Sequence, residues 1–481
     1  MIRVVGAGTG SPLPEDVADG AELVVGGRRH LDAVRLPEGA ERVVLGALAP
    51  ALDTVAEYVA NERPVLVLAS GDPGFFGIVR ALAERFGPEL LDVRPGVSSV
   101  AAAFARVGLP WDDAVVASAH GRDLRTAVNV CRAHPKAAVL TGPGAGPAEL
   151  GAALRDDGTR VLVVASALGS AEERVERVTP AEAAARDWGT AVSVVLCLDE
   201  ARALGPVRTI AGPWSGSGGR PGAARGADAG GRPGPVAGGA GRDGGAAPGV
   251  QAGPGALPRR PGTDARAERG SQGGHGVRVG RAGPGGWAGW ALDEGAFAHR
   301  DSMITKFEVR ALALARLGPR PGDLVWDVGA GSGSVAVECA RLGAAVTAVE
   351  KTPDGAGRVR ANAAAHGVDV RVVHGAAPAA LAGLDDPDAV FVGGGGRELP
   401  AIVAACARRT RRVVVVAMAA LDRVPAAREA LLGAGLDCDG VLLQSSRLAP
   451  LPGDVTRLAA TNPVFLLWGT RPRTRTEGVR Q

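Results

Sequence analysis

Residues 324–340 read LVWDVGAGSGSVAVECA, and the fold follows from this stretch. An apolar run ends at Asp327. Gly329, Gly331 and Gly333 then recur at alternate positions, and small and apolar residues follow at helical spacing. Glycines there let the backbone turn sharply and let a ligand approach the main chain. The next apolar run, AVTAVE (345–350), ends in Glu350, 19 residues beyond Gly331. That is where a nucleotide-binding fold places the carboxylate that accepts hydrogen bonds from both ribose hydroxyls. A strand, a glycine turn, a helix and a strand ending in an acid predict a nucleotide-like ligand. Ser334 occupies the position where the dinucleotide fingerprint wants glycine. S-adenosylmethionine, which carries no phosphate, therefore fits better than NAD.

The pattern continues on both sides. Strands are predicted at 324–328, 345–350, 370–373, 389–392, 412–418, 440–445 and 464–468, with helices including 334–342, 357–365 and 424–432. There is no room for a helix between Arg447 and Asn462, so the last two strands should form a hairpin that ends the sheet with an antiparallel strand. Residues 1–213 alternate in the same way. Strands are predicted at 2–5, 23–25, 65–69, 114–118, 138–140, 160–164 and 192–198, and helices include 51–61 and 98–107. The run VLASGDPGFFGI (67–78) ends a buried strand in a loop forced by Gly and Pro, at the edge where open α/β sheets bind ligands.

Composition changes abruptly between these parts. Residues 215–286 hold 25 Gly and 8 Pro, and Leu257 is the only Leu, Ile, Phe or Met among them. Such a segment cannot bury enough apolar surface to offset the entropy of ordering it, which predicts a disordered linker over 214–286. It carries 10 Arg against 4 acids, so the basicity of this chain of formal charge +3 lies in the linker. No aromatic interleaves those arginines, so a solvated spacer is favoured over an RNA-binding arm. All but three of the chain's 54 basic residues are Arg, the lysines being 136, 306 and 351. The five cysteines form no CxxC pair, which speaks against a disulfide framework or a zinc site and fits a reducing cytoplasm. No signal-peptide pattern opens the chain, and no apolar run reaches the roughly 18 residues that span a bilayer.

The C-terminal part resembles the class I methyltransferases, and more narrowly the decarboxylating precorrin-6Y methyltransferases. The resemblance rests on 297–338 with its MITK upstream of the glycine turn, VVHGAAP (372–378), DAVFVGGGG (388–396) and TNPVFLLWG (461–469). It implies a seven-stranded Rossmann-like domain at 287–481 whose Thr305, Gly329, Ala330, Gly331, Ser332, Gly333, Glu350 and Ala376 backbone surround S-adenosylmethionine. Many relatives carry an acid at the position of Ala376, so a side-chain contact is excluded there. Residues 1–213, with GGRRHLD (26–32), SGDPGFFG, PGVSS (95–99) and SAHGR (118–122), resemble the tetrapyrrole methylases, a class III fold of two α/β lobes. That resemblance implies a cofactor pocket at Gly8, Gly71, Asp72, Pro73, Ser98 and Ser99. It offers Arg28, Arg29, His30, His120 and Arg122 to the carboxylates of a tetrapyrrole.

The two resemblances together imply methylation of a precorrin at carbons 5 and 15, with loss of carbon dioxide from the ring C acetate. Each domain would take one S-adenosylmethionine and no metal. Reduced tetrapyrroles have enamine-like meso carbons that can attack a sulfonium methyl in line, so alignment is the protein's main task. Arg300 and Asp301 are the catalytic candidates, Asp301 for proton handling, and Lys306 is a substrate candidate. Thr305 could instead cap the following helix. A homo-oligomer is expected, without nucleic acid or membrane, and the linker would raise the local concentration of a shared intermediate. Two rival readings are an RNA methyltransferase and a cofactor-binding regulator, and methylation of another tetrapyrrole is the alternative within the same chemistry. The first lacks the Asn-Pro-Pro-aromatic tetrad where residues 392–396 read VGGGG, and the second is disfavoured by intact glycine turns and Glu350.

Overall fold

A computed structural model describes residues 1–9, 13–156, 158–189, 193–203, 290–300, 304–453 and 455–472. The segment read as a linker lies outside them, as does Asp301. The first strands are β1 (Ile2–Ala7), β2 (Leu23–Gly26), β3 (Glu41–Val44), β4 (Val65–Ser70) and β5 (Leu91–Arg94). They form a parallel sheet in the order β3-β2-β4-β1-β5, with α1 (Arg28–Asp32), α2 (Leu48–Ala60) and α3 (Val79–Phe86) in its connections. Crossovers between parallel strands put every strand's carboxyl end on one edge.

A second lobe follows from α4 (Ser99–Val107). Ser98 starts this helix by accepting the Ala101 N–H at 3.1 Å, and Gly108 ends it at φ +66°. Its strands are β6 (Val115–Ser118), β7 (Lys136–Leu140), β8 (Arg160–Ser166), β9 (Arg174–Val178) and β10 (Ser193–Asp199), in the order β6-β7-β10-β8-β9. Helices α5 (Leu124–Ala133), α6 (Pro147–Ala153) and α7 (Pro180–Ala185) complete it. β10 runs antiparallel to β7 and β8, so Asp199 at its end lies on the same edge as the starts of those strands.

The C-terminal part has β11 (Leu324–Val328), β12 (Ala345–Glu350), β13 (Arg371–His374), β14 (Ala389–Val392), β15 (Val413–Met418), β16 (Asp437–Leu443), β17 (Ser446–Leu451), β18 (Val455–Ala460) and β19 (Val464–Thr470). Helices α8 (Phe307–Leu317), α9 (Ser334–Arg341), α10 (Pro353–Ala365), α11 (Leu399–Arg409) and α12 (Val424–Gly433) cover the two faces of the sheet. The order β13-β12-β11-β14-β15-β19-β16 is that of a seven-stranded α/β domain. Two expectations are corrected. The antiparallel strand β19 lies between β15 and β16 and does not end the sheet. The stretch left without structure between Arg447 and Asn462 is the separate ribbon β17–β18. Arg447 clamps that ribbon to Glu294 at 2.8 Å and Glu308 at 2.6 Å.

A buried ion cluster anchors the segment entering this domain. Glu338 on α9 accepts the N–H groups of Ala291 (3.0 Å) and Leu292 (2.5 Å) and lies 3.5 Å from Arg310 of α8. Both charged side chains are fully buried. Arg310 also donates to the Thr305 carbonyl at 2.6 Å and to that of Leu292, and it covers the Phe297 ring. Removing one partner of such a pair strands the other charge out of water. Glu338→Ala should therefore lower unfolding stability by about 3–5 kcal/mol. An unchanged urea midpoint would contradict this reading of the cluster.

Candidate cofactor and substrate sites

In the C-terminal domain the predicted cofactor residues other than Thr305 lie at the carboxyl edge of β11, β12 and β13. Gly329, Gly331 and Gly333 all have positive φ, between 58° and 75°. A Cβ on Gly329 would stand 3.1 Å from the Gly394 nitrogen, so the turns after β11 and β14 touch through their backbones. Glu350 ends β12, and one of its oxygens accepts the Gly331 N–H at 2.9 Å. The other accepts the Thr352 N–H (2.9 Å) and hydroxyl (2.8 Å). Burial pushes the Glu350 carboxyl up, but these donors and Lys351 outweigh it, so the group sits below the usual carboxylate range and stays ionised. Gly375, just before the exposed Ala376, donates its N–H to the Glu350 carbonyl at 3.0 Å, which sets Ala376 beside Glu350. Ala330 and Ser332 lie within the same turn, and Ser332 is buried.

Two residues here were not nominated from the sequence. Asp327 lies inside β11, which runs one residue past it. One of its oxygens accepts the Ala336 N–H at 2.9 Å, while the other is buried without a partner. Burial, aided by the Glu350 charge, pushes its carboxyl up to about 7. Asn362 of α10 exchanges hydrogen bonds with the Ala298 backbone (2.8 and 2.9 Å) and donates to the Ser332 carbonyl at 2.7 Å. It thus ties the segment before Arg300 to the glycine turn. Arg300 is exposed, and Lys306 is half-buried as the residue preceding α8. The capping reading of Thr305 is corrected. The cap residue is Lys306, and the Phe307 N–H is met by Glu294 at 3.0 Å, from a carboxylate 13 residues upstream.

In the first sheet, three glycine backbones pack at the carboxyl edge. A Cβ on Gly6 would fall 2.0 Å from the Gly71 oxygen and 2.3 Å from the Gly96 nitrogen, so no other residue fits. A Cβ on Gly71 would meet Ser98 and Ser99 at 3.2 and 3.3 Å. Asp72 accepts the Gly74 N–H at 2.8 Å and shapes the loop in which Pro73 is buried. Gly8 (φ +80°) faces His30, whose Cε1 would lie 3.2 Å from a Cβ there. His30 Nε2 lies 2.9 Å from the Ser70 hydroxyl and accepts from Arg29 Nε at 3.3 Å, while Arg29 also donates to Ser70 at 2.7 Å. Burial, then the Arg29 charge, hold His30 down at about 4, so its imidazole is neutral at neutral pH. Arg28 is exposed at the start of α1. His120 and Arg122 are exposed on a different element, the loop after β6, where a Cβ on Gly142 would meet His120. Gly96 and Ser70 went unnominated because only the sheet brings them to this edge, and Gly6 lies inside β1.

The tetrapyrrole (corrin/porphyrin) methylase family model matches residues 1–184, and a precorrin methyltransferase domain model matches residues 295–467. A Sinorhizobium protein named precorrin-6Y C(5,15)-methyltransferase (decarboxylating) is 33% identical over 461 residues, covering 93% of this chain and 89% of that protein. The chain belongs to the precorrin-6Y C(5,15)-methyltransferase (decarboxylating) family. Two shorter relatives each match part of it. A probable cobalt-precorrin-6B C(15)-methyltransferase (decarboxylating) of Pyrobaculum calidifontis is 41% identical over 34% of this chain and 87% of its own length. A cobalt-precorrin-7 C(5)-methyltransferase of Salmonella typhimurium is 34% identical over 42% of this chain and all of its own. The family member described here is a methyltransferase whose methyl donor is S-adenosylmethionine.

The residues present fit that donor. It brings hydroxyl and ammonium hydrogens and no phosphate, which suits the ionised Glu350 and the orphaned oxygen of Asp327, with backbone cradles that exclude any Cβ. Among the described residues no group of three or more His, Cys, Asp or Glu is placed to hold a metal ion.

Asp327 gives a pH test. Its folded value near 7 exceeds its ordinary 3.8, so the folded state holds the proton more tightly than the unfolded chain. The stabilisation is complete below about pH 4 and is lost as pH rises to 7, up to ~4 kcal/mol. Asp327→Asn, neutral throughout and still able to accept the Ala336 N–H, should flatten the fall in melting temperature across that window. An unaltered slope would contradict the assignment.

Proposed function

We propose that the chain methylates precorrin-6B at carbons 5 and 15 and removes one carbon dioxide from the ring C acetate. Residues 1–213 act at carbon 5, and residues 287–481 act at carbon 15 and decarboxylate, with 214–286 as the connection between them. The observation that carries this reading is the presence of two separate glycine-lined carboxyl edges in one chain, at Gly6–Gly71–Gly96 and at Gly329–Gly394. It supports a stoichiometry of one S-adenosylmethionine per domain.

S-adenosylmethionine supplies an electrophilic methyl group on a sulfonium. The chain's residues align the ring carbon with it and exclude water, work that can be worth roughly 7–11 kcal/mol. In the first domain, the exposed Arg28, Arg29, His120 and Arg122 grip the carboxylates of the anionic tetrapyrrole, since arginine forks match carboxylates bidentately. His30 stays neutral beside Gly8 and Ser70, so it adds no charge against the sulfonium. Gly71, Asp72, Pro73, Ser98 and Ser99 shape the donor's pocket. In the second domain, Glu350 and the 329–333 turn hold the donor, with Thr305 and the Ala376 backbone near it. Arg300 and Lys306 form a cationic rim, and Asp301 handles the proton. At each carbon the new C–C bond replaces C–H and the proton departs. In decarboxylation the C–C pair flows into the ring, which takes up a proton. A cytoplasmic, homo-oligomeric enzyme without nucleic-acid partners completes the proposal. Among the described residues, no helix is long and apolar enough to cross a membrane.

Mass analysis of precorrin-6B incubated with methyl-deuterated donor tests the reading. The wild type should add two labelled methyls and lose one carbon dioxide. Gly71→Val and Glu350→Ala should each deliver at most one methyl. Two methyls from either variant, or none from the wild type, would overturn it.

A further inference from the structure

The two halves meet along a surface that the tethering picture did not anticipate. Helix α5 of the first half lies against the amino edge of the C-terminal sheet. Arg125 in its first turn pairs with Asp388 at 2.8 Å and donates to the Asp386 carbonyl at 2.7 Å. Asp388 uses its other oxygen to accept the Leu324 N–H at 2.7 Å, at the start of β11. Asn129, buried mid-helix, donates to the Gly322 carbonyl at 3.0 Å. Gly322 is at φ +88°, and a Cβ there would fall 2.8 Å from Thr126. Arg132 pairs with Asp385 at 2.7 Å, and Ala133 packs against the core of the C-terminal half. Beyond the helix, Arg160 at the start of β8 and Arg202 after β10 share Asp369, at 2.8 and 2.5 Å, just before β13.

The hydrogen-bonding and ion-pair partners just named in the C-terminal half precede their strands. Gly322 stands before β11, Asp369 before β13, and Asp385, Asp386 and Asp388 before β14. The residues that meet Asp369 sit at the amino ends of β7 and β8, counting the antiparallel end of β10. The second lobe and the C-terminal sheet are thus joined amino edge to amino edge. Their carboxyl edges, with His120 and Gly142 on one side and the 329–333 turn with Glu350 on the other, point away from the seam.

We propose that this is a specific docking surface by which the first half binds the C-terminal half back to back, without need of the covalent connection. Arginines on one side and aspartates on the other give charge complementarity, and the Arg160 side chain is only 3% exposed. A polar cavity of about 240 Å³ remains in the seam, lined by Arg132, Arg160, Thr347, Asp369 and Arg371, and salt weakens the pairs of the more exposed Asp369 and Asp385 more than it weakens the buried contacts. The arrangement keeps the two carboxyl edges at a fixed separation on opposite sides. An intermediate therefore leaves one before it enters the other. The passage of an intermediate rests on the two-site reading proposed above, whereas the docking rests on the seam alone.

The test uses the full chain with a site-specific protease sequence inserted after Gly245. After cleavage, the two pieces should co-elute in size exclusion at low salt and bind each other more weakly at about 1 M salt, where the screening length is roughly 3 Å. Asp369→Arg combined with Asp385→Arg, at positions 32% and 60% exposed, should weaken the association at least tenfold without unfolding either piece, as circular dichroism would report. Arg125→Glu should weaken it from the other face. Pieces that separate at low salt, or pieces that bind as tightly in both variants as in the parent, would overturn the proposal.

Discussion

Backbone must touch backbone at the carboxyl edge of each sheet, and the rest of the molecule is built around that constraint. At Gly6, Gly71 and Gly96 the strand ends approach so closely that a single methyl group would overlap a carbonyl. At Gly329 the turn after β11 rests on Gly394. Glycine is entropically costly in a chain, and its recurrence at these points reflects main chain packed too closely against main chain to admit a side chain. The side chains around the turns then have little to do but fix them. Glu350 holds Gly331, Asn362 holds Ser332, and Ser98 starts a helix beside Gly71. Their modest roles suit a reaction whose chemistry resides in the methyl donor and whose protein contribution is alignment.

The second constraint lies at the opposite edge. The amino ends of the strands are where an α/β domain can be fastened without obstructing its ligands. The seam uses that edge of the C-terminal sheet, with Arg125, Arg132, Arg160 and Arg202 set against three aspartates. The parts of the chain on either side of the segment 215–278 accordingly pack as one compact unit. A tether that merely raised local concentration would leave the relative orientation of the sites free. A docked pair fixes it.

Much of the fold was legible because long apolar runs broken by glycine turns admit few readings. Strands β11, β12 and β14 fall within the predicted bounds, and so does the change to helix at Ser334. The strands that went unread are short and polar: β3 (ERVV), β5 (LDVR) and β9 (RVERV), all at sheet edges where burial imposes no pattern. The ribbon β17–β18 mixes arginine, proline and exposed leucines and shows no clean alternation. The insertion of β19 between β15 and β16 is a matter of pairing, which one strand's sequence does not encode. At the sites, glycines and Glu350 stood out by spacing. Asp327 read as a strand end, and Asn362, Ser70 and Gly96 are ordinary residues until the sheet brings them to the turn. The docking arginines were hidden by composition, because one arginine among many carries no signal until its aspartate is placed opposite it.

The central claim is that each half cradles its own methyl donor at a carboxyl edge. Isothermal calorimetry of the intact chain with S-adenosylhomocysteine, the demethylated donor, tests it most directly. Two binding events per chain are expected, with Glu350→Ala suppressing one and Gly71→Val the other. A single event, or loss of both events on either substitution, would contradict the claim.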